Sequence, residues 1–252
     1  MPYSLKGRNV LVTGGSRGLG ELICLKFAAE GCNVAVNYQS SLDRAMGVGD
    51  KVRQLGVKSV LVQGDVGKES DCIKIVKETI SHLGGLDIII SNAGYTRFAT
   101  FSDLHAPTIE DWDTCHAVNV KAQIFLMREA LPTFNANPDG GAFIITSSIA
   151  GVTAGGSSMP YAVSKAAQLH LMLCLASTQG PKVRVNAVLP GWLRTEWGGK
   201  YDPKLVEFLR EKSWLKQETL LDDCAQAFVD IAQNSSMTGQ KIQVDSGLGQ
   251  NS

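Results

Sequence analysis

The octet Thr13-Gly14-Gly15-Ser16-Arg17-Gly18-Leu19-Gly20 stands between an apolar, β-branched run, Asn9–Thr13, and a stretch where Leu19, Leu22, Ile23 and Phe27 recur at helical spacing. Gly31 closes that helix as the residue just past its end. A glycine-rich turn from strand into helix lets the backbone come close to a pyrophosphate, which then meets N–H groups and the positive end of the helix dipole. The spacing Gly14-x3-Gly18-x-Gly20 is wider than the GxGxxG fingerprint, and a turn rich in glycine for steric reasons alone stays open. The octet also holds Gly14-x-Ser16-x-Gly18, the pattern of a hydrolase nucleophile elbow. That fold needs several strands before the elbow and an HGGG-type segment; one strand precedes this one, and the segment is missing.

Outward from the octet the pattern repeats. Strands are expected at Asn9–Thr13, Asn33–Asn37, Ser59–Gln63, Leu86–Ser91, Ala142–Ser147, Val183–Leu189 and Lys241–Val244, with longer helical stretches between them. Several are apolar throughout, as strands covered on both faces should be. Strand–helix alternation of this kind describes an α/β fold, a doubly wound parallel seven-stranded sheet with right-handed crossovers. No linker or repeat divides residues 1–252, which read as one domain.

Composition narrows the function. Twenty-four Lys+Arg balance twenty-four Asp+Glu, so the chain lacks the basic excess that drives binding to nucleic acid. Mean hydropathy is +0.01 and the longest apolar run, Leu171–Ala176, is too short to span a bilayer. The opening residues Met1–Lys6 carry no apolar signal-peptide core, and six scattered cysteines suit a reducing, cytoplasmic setting. Neither cysteines nor histidines show metal-ligand spacing, so no metal is expected.

The second strand bears on which nucleotide fits. An acid about 20 residues past the turn accepts the ribose 2′-OH of NAD; here that place is taken to be Asn37, whose neutral amide does not repel a 2′-phosphate. Arg17 in the turn is suited to pair with that phosphate, although a solvated arginine reads the same way. NADP(H) is therefore favoured. Asp65-Val66, after the third strand, suits the adenine, and Asn92-Ala93-Gly94, after the fourth, suits its ribose.

At the other end of the chain, Pro160-Tyr161-Ala162-Val163-Ser164-Lys165 opens a helix and sets Tyr161 and Lys165 on one face. A phenol is a poor acid–base catalyst at neutral pH, and an adjacent ammonium lowers its pKa. Ser148 follows the fifth strand, 13 residues before Tyr161, at the sheet edge where ligands bind. Its neighbour Ser147 competes for the same role, since consecutive strand residues face opposite ways.

Taken together these residues resemble the short-chain dehydrogenase/reductase family over nearly the whole length: Thr13-Gly14-x3-Gly18-x-Gly20, Asn92-Ala93-Gly94, Asn119, Ser148, Tyr161-x3-Lys165 and Pro190-Gly191 follow its order. The resemblance implies a Rossmann-type fold and hydride exchange between a nicotinamide and a carbonyl or alcohol. It gives Tyr161 the proton transfer, Ser148 the carbonyl, Lys165 the nicotinamide ribose and the tuning of Tyr161, and Asn119 a water in a proton relay. It further implies cofactor contacts from Ser16, Leu19, Pro190, Gly191 and Thr195. One departure is the wide spacing of Asn119 from Ser148, read as an insertion-like loop at Asn135–Gly141.

The substrate end is less distinct. Three of the four tryptophans fall in one window with Leu193, Tyr201, Phe208 and Leu215, and the family has a mobile lid there, at about 191–217. Trp192 and Trp197, with Tyr95, are expected to meet an apolar, ring-containing or long-chain carbonyl compound. Packing of the lid, or a subunit contact, explains the same rings. Apolar helices over Trp112–Leu131 and Pro160–Thr178 imply a homodimer or homotetramer by resemblance, though core burial leaves the same pattern. An NAD-dependent alcohol dehydrogenase and a non-catalytic NADP(H)-binding regulator are the alternatives.

Overall fold

The computed structural model describes residues 3–251; Met1 and Pro2 of the opening segment, and Ser252, lie outside the described residues. Seven parallel strands form the centre: β1 (Asn9–Val12), β2 (Asn33–Tyr38), β3 (Ser59–Gln63), β4 (Ile88–Ser91), β5 (Gly141–Thr146), β6 (Val183–Pro190) and β7 (Lys241–Val244). Their order is β3-β2-β1-β4-β5-β6-β7. The order reverses between β1 and β4, and a crevice opens there beyond the strands' carboxyl ends. Central strands are buried on both faces, Ile88-Ile89-Ile90-Ser91 throughout, whereas the edge strand β7 exposes alternate residues.

Alternation along each strand feeds two cores. Val10, Val12, Ile88 and Ile90 face α1 (Gly18–Ala29), α2 (Leu42–Gln54) and α8 (Leu221–Gln233), where Phe27 and Phe228 are fully buried. Leu11, Ile89 and Phe143 face α3 (Glu69–Leu83), α5 (Ala122–Ala136) and α6 (Met159–Gln179), packing on Ile75, Phe134 and Met172. Each such side chain contributes ~1.5–3 kcal/mol by leaving water. Gly31 does end α1 with a left-handed φ of 84°.

Two expectations need correction. The helix read as Trp112–Leu131 is two helices joined by a π-helical turn: α4 (Ile109–His116), capped by reciprocal Thr108 and Asp111 bonds, then Ala117–Lys121, then α5. The loop expected at Asn135–Gly141 is only residues 137–140, because α5 runs through Pro132 to Ala136 and β5 begins at Gly141. Helix, not loop, accounts for the wide spacing. The lid window also contains a helix of its own, α7 (Pro203–Lys212), with no buried residue.

Candidate active site

The glycine turn is held in place by the strand beside it. Thr13 Oγ1 accepts from the backbone N–H of Asn92 (2.9 Å) and of Ala93 (3.0 Å), while Asn92 Nδ2 donates to the Thr13 carbonyl at 3.0 Å. The loops after β1 and β4 therefore move as one piece. Gly14 and Gly18 have φ of 62° and 56°, and a Cβ on Gly20 would lie 2.3 Å from the Gly14 carbonyl. Only glycine lets α1 start this close to the turn. Ser16, Arg17, Leu19, Asp65 and Val66 line the same cavity, with Asp65 Oδ1 accepting from Gly67 N–H.

Asn37 does something other than the sequence suggested. Its side chain is buried; Oδ1 accepts from Gly14 N–H at 3.1 Å, and Nδ2 donates to the carbonyls of Val62 (3.1 Å) and Gly64 (3.2 Å). Every polar atom of the amide thus ties the turn to β3, and the residue also lines the cavity. The charged groups at this end are Arg17 and Arg44, whose guanidiniums both reach Glu196 in the lid, at 3.4 and 2.6 Å. Arg44 holds the Glu196 carboxyl below the usual range. Arg44 and Glu196 carry no motif, which is why sequence alone missed them.

At the other end of the crevice the β5–α6 connection and the first turns of α6 assemble the polar groups. Ser148 caps a short 3-10 turn, accepting from Ala150 N–H, and stands near enough to Tyr161 to pull its phenol pKa down. Ser147 is buried, and its hydroxyl donates to the Lys165 carbonyl. Lys165 lies under the cavity, its Nζ 5.5 Å from the centre of the Tyr161 ring and 2.8 Å from the Thr146 carbonyl. Burial pushes the Tyr161 phenol well above its ordinary range, against a smaller downward pull from Ser148, and burial lowers Lys165 to about 7.

Asn119 sits in the π-helical turn, fully buried behind the wall. Its side chain pairs with the Tyr95 main chain in both directions, and Nδ2 also donates to Ser164 Oγ at 2.9 Å. Its own carbonyl accepts from Gln123 Nε2 at 3.2 Å. The side chain thus clamps the β4 loop to α6. Gly94 occupies the centre of the group: a methyl there would lie 3.5 Å from Asn119 Oδ1 and 3.9 Å from Lys165 Nζ.

The lid closes over this end. Trp197 is tilted against Tyr161 at 5.8 Å, and Tyr201 meets the edge of Phe98 at 5.0 Å. Trp192 donates to the Gly198 carbonyl, and Thr195 Oγ1 accepts from Gly198 N–H. Gly191 is a close-packing glycine, since a Cβ would come within 2.7 Å of Thr219 and 2.8 Å of Asp245. Trp214 faces outward, so the aromatic window is divided between cavity and surface. One cavity of about 990 Å³ runs from Gly14 past Asn92 and Tyr161 to Pro190, Trp192 and Tyr95.

Known proteins share this arrangement. A family model described as enoyl-(acyl carrier protein) reductase matches residues 14–249. Ketoacyl reductase 2 of the granaticin polyketide synthase of Streptomyces violaceoruber is 36% identical over 239 residues, covering 94% of each chain. Versicolorin reductase 1 of Aspergillus parasiticus is 35% identical over 196 residues, 77% of this chain and 72% of that one. A short-chain dehydrogenase of Burkholderia cenocepacia, solved in complex with NADP, superposes with a TM-score of 0.89 at 31% identity, over 98% of this chain and 99% of that one. Similarity of this reach, along a chain whose glycine turn and buried lysine open on one crevice, has a single meaning: the chain belongs to the short-chain dehydrogenase/reductase family of oxidoreductases.

Proposed function

We propose that this protein is an NADPH-dependent reductase of ketones or aldehydes on apolar, ring-containing substrates, with Tyr161 as the acid. The observation that carries the reading is the gathering of Ser148, Tyr161 and Lys165, its Nζ 5.5 Å from the Tyr161 ring centre, in the same cavity as the glycine turn. The cradle suits a dinucleotide: Gly20 leaves room where any Cβ would strike the Gly14 carbonyl, and α1 presents its N-terminus there. With Asn37 committed elsewhere, Arg17 and Arg44 support the preference for a 2′-phosphate, and so does the NADP in the Burkholderia structure. Pro190, Gly191 and Thr195 would border the nicotinamide end.

Bound reduced nicotinamide supplies the hydride. The chain's own work is to hold the acceptor and move a proton. Two hydroxyls, Ser148 and Tyr161, converge on one point, and a carbonyl oxygen placed there accepts from both. Tyr161 then gives up its phenolic proton to that oxygen, and the Lys165 ammonium stabilises the phenolate left behind. Trp197, Tyr201 and Phe98 keep water from the site and offer ring faces to the substrate. The ketoacyl reductase name of the polyketide synthase relative supports a ketone as the substrate. In this reading residues 191–217 act as the lid of a single cytoplasmic domain, and α6, which exposes Val163 and Leu173, joins copies into a dimer or tetramer.

The test is consumption of NADPH and NADH against quinones, polycyclic ketones, 3-oxoacyl thioesters and an enoyl thioester. Turnover of a carbonyl with NADPH preferred by about tenfold or more supports the reading. Activity confined to the enoyl thioester, or a preference for NADH, overturns it.

A further inference from the structure

An ammonium has three N–H donors, and Lys165 spends two of them on the side away from the Tyr161 ring. One goes to the Thr146 carbonyl at 2.8 Å and one to Gln168 Oε1 at 3.3 Å. The Thr146 contact is to backbone and survives any substitution there. Gln168 is a side-chain contact, one turn along α6 from Lys165, fully buried and followed by Leu169 and Met172. Its orientation is set by chemistry, since turning the amide over would aim an NH2 at the ammonium. The remaining atom, Nε2, is buried with no partner. A leucine would remove that cost, so the glutamine is retained against packing.

The neighbouring helix carries a matching group. Gln123 on α5 is also fully buried, donates from Nε2 to the Asn119 carbonyl at 3.2 Å, and leaves Oε1 without a partner. The Asn119–Ser164 bond fixes the register between the π-helical turn and α6. Both α5 and α6 return between parallel strands, so they run in the same direction. Four residues past Asn119 is Gln123; four residues past Ser164 is Gln168. One turn beyond the bonded pair, each helix therefore carries a buried glutamine with one unpartnered polar atom.

We propose that Gln168, backed by Gln123, is a positioning residue for Lys165: it anchors the rear of the ammonium and aims the remaining N–H toward Tyr161 and the cavity. This rests on the reading of Tyr161 and Lys165 as the proton-transfer pair. The other titratable groups around Lys165 are Cys115 on α4, Tyr161 on α6 and, across Tyr161, Tyr201 in the lid. Gln168 Oε1 is the negative end of a dipole facing Nζ and favours the charged lysine. Its removal should make Lys165 lose its proton at lower pH, and a carboxylate in its place should have the opposite effect.

The experiment compares wild-type protein with Gln168→Met, Gln168→Glu and Gln123→Met as full chains. The Lys165 side chain is titrated by NMR of carbon-labelled lysine, assigned from the spectrum of Lys165→Met. The pH profile of kcat with NADPH is recorded alongside. We expect the Lys165 midpoint to fall by about one pH unit in Gln168→Met and to rise in Gln168→Glu. The alkaline limb of kcat should follow, with kcat about tenfold lower in Gln168→Met and largely recovered in Gln168→Glu. Gln123→Met should shift the midpoint in the same direction as Gln168→Met, by less. An unmoved Lys165 midpoint in either Gln168 variant overturns the proposal, whatever happens to thermal stability; Gln168→Glu decides it if Gln168→Met does not fold. The titration needs no turnover. If Tyr161→Phe stays active while the midpoint moves, the acid assignment falls and the positioning role stands.

Discussion

Asn37 accepts a hydrogen bond from Gly14 N–H at 3.1 Å, joining the end of β2 to the glycine turn. The same amide donates to Val62 and Gly64, so the position needs one acceptor and two donors. Aspartate keeps the acceptor and turns both donors into oxygens facing carbonyls. Asn37→Asp should therefore cost ~2 kcal/mol, a fall of about 5 °C in melting midpoint. It should weaken NADPH and NADH alike. Differential scanning calorimetry and binding titrations check this; a clean switch toward NADH with unchanged stability would show that residue 37 meets the ribose after all.

Discrimination between the two cofactors is then expected from Arg17 and Arg44, which Glu196 holds across the crevice. These side chains are exposed, so their attraction is modest and screened by salt. Arg17→Ala and Arg44→Ala should each weaken NADPH by about threefold to tenfold and leave NADH nearly unchanged. Glu196→Gln frees both guanidiniums and should tighten NADPH alone, most visibly at low ionic strength. Fluorescence titrations of both cofactors at two salt concentrations measure it. Equal effects on NADPH and NADH would place the arginines away from the 2′-phosphate.

The strands and the doubly wound order were legible because Val10-Leu11-Val12 and Ile88-Ile89-Ile90 are apolar on both faces, a pattern few other structures allow. Tyr161 and Lys165 were legible because both lie on one helix, four residues apart. What escaped was tertiary. The π-helical turn at Ala117–Lys121 has the periodicity of an ordinary helix, and α5 runs on through Pro132 to Ala136, past the end read at Leu131. The bonds that Asn37 makes to Gly14 and Val62 were not legible, because alternation along a strand shows which face a residue takes, not which backbone groups wait there. Gln123 and Gln168 left a faint signal, glutamines within otherwise apolar helix faces, that only burial turns into an argument.

Trp197 stands against Tyr161, and Tyr201 against Phe98, so the acceptor site is walled by rings on the lid side. A fused-ring ketone gains from those faces, whereas a small aliphatic ketone barely touches them. Trp197→Ala should reduce kcat/KM for a polycyclic ketone by about tenfold to a hundredfold and for a short aliphatic ketone by about threefold or less. Parallel losses on both substrates would mean that Trp197 only packs the lid.

Stability should depend on pH through Lys165 in a way that opposes the buried thiols. Burial lowers the folded-state pKa of Lys165 to about 7, against 10.5 for an ordinary lysine. Between those values the unfolded chain binds the proton that the folded chain gives up, so stability rises with pH across that window; below about 7 both states are charged and the cost is constant. Burial raises Cys32, Cys72 and Cys224 to about 12 and Cys115 to about 11, from an ordinary 9. Above about 9 the unfolded chain has lost thiol protons that the folded chain keeps, so stability falls. The two arms meet near pH 9. In cofactor-free protein the melting midpoint should climb from pH 7 to 9 and then drop, and Lys165→Met should flatten the climb while leaving the drop in place. Wild-type protein whose midpoint is level from pH 7 to 9 would mean that Lys165 is hydrated or paired in solution.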